Sequence, residues 1–222
     1  MLENDWIVTS RLESQDGVFG VEHNGRLGYA KYGRKHKEKL AADLAALVEV
    51  PVPKVEFGLF GGEQISVSHV QNGRRYPLRG KLLDLRPLDS TESAALRRAS
   101  GLLAFLHWIA AEDHGHDTNL VVNIPDHHEP NIVAIDFEDA FRWKMGKCAF
   151  GECSEPPGLR DNVDKERVAA SLKKIECLTR QQISDCCKAS GMRAEQANEI
   201  AETLVLRQSL LRQHLHLKGW IG

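Results

Sequence analysis

Between Trp6 and Tyr32, apolar and polar residues alternate in three short runs, DWIVTS, GVFGVEH and RLGYAKYG. A two-residue period puts the apolar side chains on one face of an extended backbone, so each run predicts a strand. Asp16-Gly17 and Asn24-Gly25 separate the runs, and both dipeptides favour tight reversals, which makes the strands antiparallel. The period then changes. Residues 36–48 place Leu40, Leu44 and Leu47 at helical spacing, and Pro51 and Pro53 end that helix. KVEFGLF and EQISVSHV, joined by Gly61-Gly62, return to the strand pattern. Residues 1–70 therefore predict a small, mostly antiparallel sheet with one helix.

Residues 71–90 are basic, lack a clear period and read as a connecting segment or surface loop. A second region, 91–222, opens with STESAALRRASGLLAFLHWIAAE. This stretch has a capping signal at Ser90 or Thr91 and one long apolar helical face through Leu102, Phe105, Leu106 and Ile109. The helix delivers the chain into an acid-rich loop, EDHGHDTN, at 112–119. Two short apolar runs at 120–123 and 132–135 follow, the second ending in Ile135-Asp136-Phe137. Beyond them lie a Gly/Pro-rich irregular stretch, GKCAFGECSEPPGLRD, and helical patterns at about 164–176, 180–189 and 193–217. No repeat or low-complexity tract interrupts this α+β order.

With 222 residues, 42% of them hydrophobic, the chain can bury a substantial core. A formal net charge of -2 gives no overall attraction to nucleic acid or to an anionic membrane. The basic pairs Arg34-Lys35, Arg74-Arg75 and Arg97-Arg98 read as solvated faces. The start, MLENDWIV, lacks the pattern of a signal peptide, and no apolar run reaches the ~18 residues of a membrane span, so a cytoplasmic protein is expected. Five cysteines form no paired C-x2-C framework and read as reduced thiols.

Candidate chemistry concentrates in residues 112–141. If 120–123 and 132–135 pair as a hairpin, the start of the first strand lies beside the end of the second, which makes Asn119 and Asp136 neighbours. A carboxylate beside an amide oxygen suits a hard cation such as Mg2+, which holds nucleotide phosphates while a second acid orients an attacking hydroxyl. Asp113 is the first choice for that acid. Asp136 closes an apolar strand, where its structural alternative is a strand-end cap or turn initiator. Glu138 and Asp139 add negative charge beside it.

A β-rich lobe with one helix, a connection, and a helical lobe interrupted by a hairpin resembles a reduced protein-kinase-like fold. Lys31, LAADLAALVEVPVPKVEFG, EDHGHDTN and AIDFEDAF together resemble the strand lysine, "PVP" stretch, D-x-x-x-x-N loop and strand-end aspartate of HipA-like kinases. DHGHDTN is also similar to the D-R-G-x-D-N loop of type II phosphatidylinositol kinases. The resemblance covers about residues 5–142 and implies a two-lobed ATP- and Mg2+-dependent phosphotransferase. It implies that Lys31 contacts phosphates and pairs with Glu38, with Asp43 as the alternative, and that a turn around Ser14 to Gly17 cradles phosphate oxygens. ISVSHVQN would be the hinge that meets the base. Asn119 and Asp136 would bind metal, and Asp113 would be the catalytic acid. Here the pattern departs: Asp113 and Asn119 are six residues apart, and the position five before Asn119 is His114. Either Asp113 serves from a longer loop, or His114 takes its place, with Asp117 as a third candidate. The implied acceptor is a protein Ser/Thr hydroxyl first, and a lipid or small-molecule hydroxyl second.

Other classes remain open. The altered spacing and the absence of G-x-G-x-x-G favour a pseudokinase that binds nucleotide as an adaptor. His107, His114, His116 and Asp117 suggest part of a metallohydrolase ligand set. The end, HLHLKGWIG, offers His214, Leu217 and Trp220 as a partner surface, with Trp220 alternatively anchoring the terminus.

Overall fold

The computed structural model describes residues 4–11, 17–69, 74–77, 89–111, 119–124, 129, 131–143, 150 and 155–222. The alternating runs form strands β2 (Ile7–Arg11), β3 (Phe19–His23) and β4 (Arg26–Tyr32), paired antiparallel as expected. The β3–β4 reversal uses Asn24 and Gly25, both with positive φ. Helix α1 (His36–Val48) follows, then β5 (Val55–Phe60) and β6 (Glu63–His69). A two-residue strand, β1 (Asn4–Asp5), adds to β5 in parallel, giving a six-stranded sheet in the order β1-β5-β6-β4-β3-β2.

One face of this sheet carries Phe19, Val21, Ala30, Ile65 and Val67, which form a core of their own with Trp6. Register puts Lys31, Ser66 and Phe57 on the other face, where α1 packs. The α1 residues Leu40, Ala41, Leu44, Ala45 and Val48 belong to the larger core, together with the helices of the second half. Thus α1 is covalently part of the sheet region and packs as part of the helical region.

Two expectations are corrected here. Within the segment read as a connection, Arg74–Pro77 forms strand β7, which joins β8 (Leu120–Ile124) and β9 (Asn131–Ala134) in a three-stranded antiparallel sheet. The long helix expected after residue 90 is two helices, α2 (Ser90–Arg98) and α3 (Gly101–Trp108). Its cap is Asp89, whose side chain accepts from Glu92 N while Glu92 Oε2 accepts from Asp89 N, a reciprocal capping box. The break falls at Ala99-Ser100. Ser100 Oγ donates toward the Asn162 carbonyl at 3.2 Å and accepts from Asp164 N at 2.9 Å, ahead of α5 (Lys165–Cys177). A Cβ at Gly101 would overlap Ser171 Oγ, so only glycine permits α3 to approach α5 this closely.

After the short α4 (Pro157–Arg160) and α5, helices α6 (Arg180–Ala189) and α7 (Ala194–Leu217) complete the larger core close to their expected bounds. The terminal segment corrects another expectation. Trp220 is buried and His214 stacks on Phe150, so of the three proposed surface residues only Leu217, 78% exposed, faces solvent. Among the described residues, Cys177, Cys186 and Cys187 are free thiols, and burial pushes the Cys187 thiol up to about 12. No helix among them is long and apolar enough to cross a membrane.

Arg207 of α7 is 2% exposed. It donates to the carbonyl oxygens of Trp108 (2.8 Å) and His107 (2.5 Å) at the end of α3, and its guanidinium lies over the rings of Trp143 and Phe150. His107 shares a ring-nitrogen hydrogen bond of 2.9 Å with His214 and lies 3.2 Å from Glu155, which also pairs with Lys218. Burial, with His107, Lys218 and Arg207 nearby, lowers the His214 pKa to about 4, and burial likewise lowers that of His107. A histidine pKa depressed by folding favours the neutral ring in the native state. Its contribution is therefore complete above about pH 6.5 and is lost as pH falls toward 4. The melting temperature should drop across this window, and less steeply in His214→Gln; an equal slope in the variant would exclude His214 as the titrating group.

Candidate active site

Lys31 sits next to the end of β4, directly opposite Ser66 of β6. Beyond β4 the chain turns through Gly33, with φ of 79°, into α1. Ser66 holds that turn: its buried hydroxyl donates to the Gly33 carbonyl at 2.8 Å and accepts from Lys35 N at 2.7 Å. The staple sets the start of α1 so that Glu38, seven residues beyond Lys31 in the chain, returns over the same sheet face. Lys31 Nζ donates to Glu38 Oε1 at 2.7 Å, with side-chain exposures of 22% and 6%. Asp43, the other candidate partner, is instead held by Lys39 four residues before it, at 2.5 Å.

The second wall of the site comes from the end of β9. Ala134 N donates to Pro51 O, and Ile135 N to Asn119 O at 3.0 Å, so the hairpin places Asn119 against the residue preceding Asp136. Asp136 has φ of 64°. That left-handed conformation is uncommon outside glycine, although aspartate tolerates it better than most residues. It turns the chain out of the strand. Phe137 then inserts into the core, edge-on to Phe105, and Phe141 N bonds the Ile109 carbonyl beyond α3. Between these anchors, Asp136 and Glu138 face Lys31 at 3.1 and 3.2 Å, and Lys35 Nζ lies 3.1 Å from Glu138.

Burial alone would lower the Lys31 pKa, but Glu38 and Asp136 outweigh it and raise it above the ordinary lysine value. The Glu38 carboxyl moves up because desolvation exceeds the attraction of Lys31, with Asp136 and Glu138 adding repulsion. Burial would also raise Glu138, yet Lys35 and Lys31 hold it below the usual carboxylate range. One oxygen from each of Glu38, Asp136 and Glu138 lies within 4.8 Å of the others. This is the grouping of three or more acidic, histidine or cysteine ligands found among the described residues, and an all-oxygen set fits a hard divalent cation. Glu38 and Glu138 were read from the chain as a lysine partner and as extra charge; their convergence with Asp136 depends on the tertiary fold.

Two surfaces adjoin the carboxylates. Leu27 (46% exposed) and Tyr29 (37% exposed) share the Lys31 face of β4, and Gly20 opposite Tyr29 adds no side chain, leaving a partly apolar shelf. On the side of α1, a cavity of about 240 Å3 reaches Glu38 and Glu138. Arg34 and Lys35, expected to be a solvated face, line that cavity, with Arg34 over the Phe57 ring.

Asp113, His114, Asp117 and Ser14 lie outside the described residues. The flanks of these segments are placed: Ala111, which is buried, and Asn119, which is half-buried, bracket 112–118, and Gly17, with φ of 65°, precedes β3. Of the histidines in the metallohydrolase reading, His107 is packed among His214, Glu155 and Arg207, whereas His114 and His116 lie outside the described residues.

No protein-family model matches the chain, and no curated protein sequence matches it. Solved structures do. A proinflammatory kinase, CtkA, from Helicobacter pylori has a TM-score of 0.60 at 9% identity, covering 96% of this chain and 99% of its own. The HipA–HipB toxin–antitoxin complex with operator DNA from Shewanella oneidensis has a TM-score of 0.49 at 14% identity, covering 92% of this chain and 66% of that one. The chain therefore has a kinase-like α+β fold, with an antiparallel sheet in its first part and helices in its last.

The Lys31–Glu38 pair gives a thermodynamic test. Lys31→Met leaves Glu38 desolvated without its cation and, in this partly buried pair, should cost about 1–3 kcal/mol, whereas adding Glu38→Met to that variant should recover part of the loss. Urea unfolding measures both; additive losses would show that the pair is not coupled.

Proposed function

We propose that the protein is an ATP- and Mg2+-dependent phosphotransferase. Residues 1–70 form its nucleotide lobe, 71–90 a connecting segment that also supplies β7 to the sheet of β8 and β9, and 91–222 its helical lobe. The observation that carries this reading is the convergence of Lys31, Glu38 and Asp136 from a strand, a helix and a hairpin end onto one point. A structural ion pair needs two of these groups, whereas a phosphate and its counter-ion use all three. The kinase-like fold supports the reading independently.

In this reading the base of ATP lies against Leu27 and Tyr29, close to the 65–72 hinge, and the turn at Ser14 to Gly17 covers the phosphates. Lys31, oriented by Glu38, contacts the phosphate oxygens. Asp136 and Asn119, with Glu138 nearby, would hold Mg2+, which when bound offsets the charge of the phosphates. Asp113, or His114 in its place, accepts the proton of the acceptor hydroxyl as its oxygen attacks the γ-phosphorus. The bond from that phosphorus to the β–γ bridging oxygen breaks, and ADP leaves. The sequence resemblance to HipA-like kinases supports a protein Ser/Thr acceptor, with a lipid or small-molecule hydroxyl as the second choice.

Calorimetric titration with ATP, with and without Mg2+, followed by assay of ADP release on the same sample, tests the proposal. Mg2+-dependent binding with turnover is expected, and Asp136→Ala should abolish turnover in a protein that stays folded, with a lower melting temperature because alanine tolerates the left-handed backbone at 136 less well. Binding without turnover would establish the pseudokinase reading instead. Full turnover in a folded Asp136→Ala variant would remove Asp136 from the site.

A further inference from the structure

Five non-glycine residues among the described ones have positive φ, and three of them meet at one junction: Ala110 (51°), Asp136 (64°) and Phe141 (61°). Ala110 ends α3. Its N donates to the His107 carbonyl at 3.3 Å, and Ala111 N donates to the Leu106 carbonyl at 3.0 Å, a left-handed helix end that ordinarily uses glycine. Beside it, the Ile109 carbonyl accepts from Phe141 N at 2.9 Å, so the end of α3 holds the far end of the turn that begins at Asp136. Left-handed alanine and phenylalanine carry a steric cost, and such conformations persist only where their surroundings hold them.

Arg207 supplies that hold. Its Nε donates to the Trp108 carbonyl at 2.8 Å and its Nη2 to the His107 carbonyl at 2.5 Å, which fixes the last turn of α3 just before Ala110. Its guanidinium also lies 5.0 Å from the centre of the Trp143 ring, and Trp143 packs edge-on against Phe141. One side chain, nearly inaccessible to solvent, therefore grips both partners of the Ile109–Phe141 bond. A planar fork that bonds two carbonyls while stacking on a ring is a task for arginine, and lysine can do only part of it.

We propose that Arg207 is a positioning residue for Asp136: by fixing the end of α3 and Trp143, it fixes the turn from Asp136 to Phe141 and so where the Asp136 carboxylate stands beside Lys31. The proposal rests on the phosphotransferase reading. The near end of the turn is held separately, by the bond from Ile135 N to Asn119 O, so loosening Arg207 tilts the carboxylate without releasing that bond. Mg2+ tolerates little departure from octahedral ligand geometry, and a displaced carboxylate therefore weakens metal binding. Lys31, paired with Glu38, keeps its place for the phosphates.

Calorimetric titration with a non-hydrolysable ATP analogue over a series of Mg2+ concentrations, well below the melting temperature of every variant, tests the proposal. In Arg207→Met the Mg2+ concentration that gives half of the full rise in analogue affinity should increase by about tenfold, while the affinity without Mg2+ changes by less than about twofold. Arg207→Lys, which keeps the charge without the fork, should fall between Arg207→Met and wild type. Ile183→Ala, which opens a cavity in α6, is the control for stability: its melting temperature should fall while its Mg2+ midpoint stays in place. An equal shift in that control would reduce Arg207 to a stability role and overturn the proposal. Should Arg207→Met not fold, Trp143→Leu takes its place, because it removes the half-buried ring under the guanidinium and should move the midpoint in the same direction. Analogue binding by wild-type protein that is absent or indifferent to Mg2+ would defeat the phosphotransferase reading, and this proposal with it. Mg2+-dependent binding in wild type with an unmoved midpoint in the folded variants overturns the positioning role alone.

Discussion

The Lys31–Glu38 ion pair is the constraint around which the two halves of the molecule are arranged. A partly buried lysine near the end of a strand and a buried glutamate at the start of a helix are each costly to desolvate alone. They are tolerable together only if α1 lies against the sheet at one angle and one rotation. Ser66 sets that angle by clamping the turn on both sides, and Leu40 and Leu44 set the rotation by facing the larger core. Tying α1 to both regions makes its placement the common reference for the whole site.

Asp136 meets this pair from the opposite direction, and its position is no less constrained. The left-handed backbone would relax if the flanking chain were free. It is held by the Ile135–Asn119 backbone bond on one side and by Phe137 packed against Phe105 on the other. Behind it, Arg207 binds the last carbonyls of α3 and stacks on Trp143 and Phe150. A buried guanidinium thus joins the helix that feeds the acidic loop to the chain beyond the hairpin. The polar cluster of His107, His214, Glu155 and Lys218 extends this junction and gives His107, one of the histidines of the metallohydrolase reading, a packing role.

A likeness in fold at 9% identity is understandable on these terms. Most positions in such a fold need only be apolar and of suitable volume, and those requirements admit many sequences. What cannot drift freely are groups that are buried, charged and mutually satisfied, together with the turns that aim them. Glu38, buried and paired with Lys31, is of this kind, and the buried Ser66 hydroxyl aims its helix.

Local chemistry made much of this legible. Two-residue alternation marked β2 to β6, helical spacing marked α1 and α5 to α7, and the Ile135-Asp136-Phe137 strand end drew attention to Asp136 before any fold was known. Where local signals are degenerate, the reading failed. The helical pattern of residues 90–112 did not show that Ser100 would be recruited by Asn162 and Asp164 to split the helix, because those partners lie more than sixty residues away. Nor did Arg74–Pro77 reveal a strand, since its pairing with β8 is supplied by the partner strand and not by its own pattern. The residue types able to bind a cation and a phosphate were therefore determined by the sequence alone. Which of them meet, that Glu38 rather than Asp43 faces Lys31 and that Glu138 joins Asp136, was decided by tertiary packing, because the energy of a charge depends on its neighbours in space.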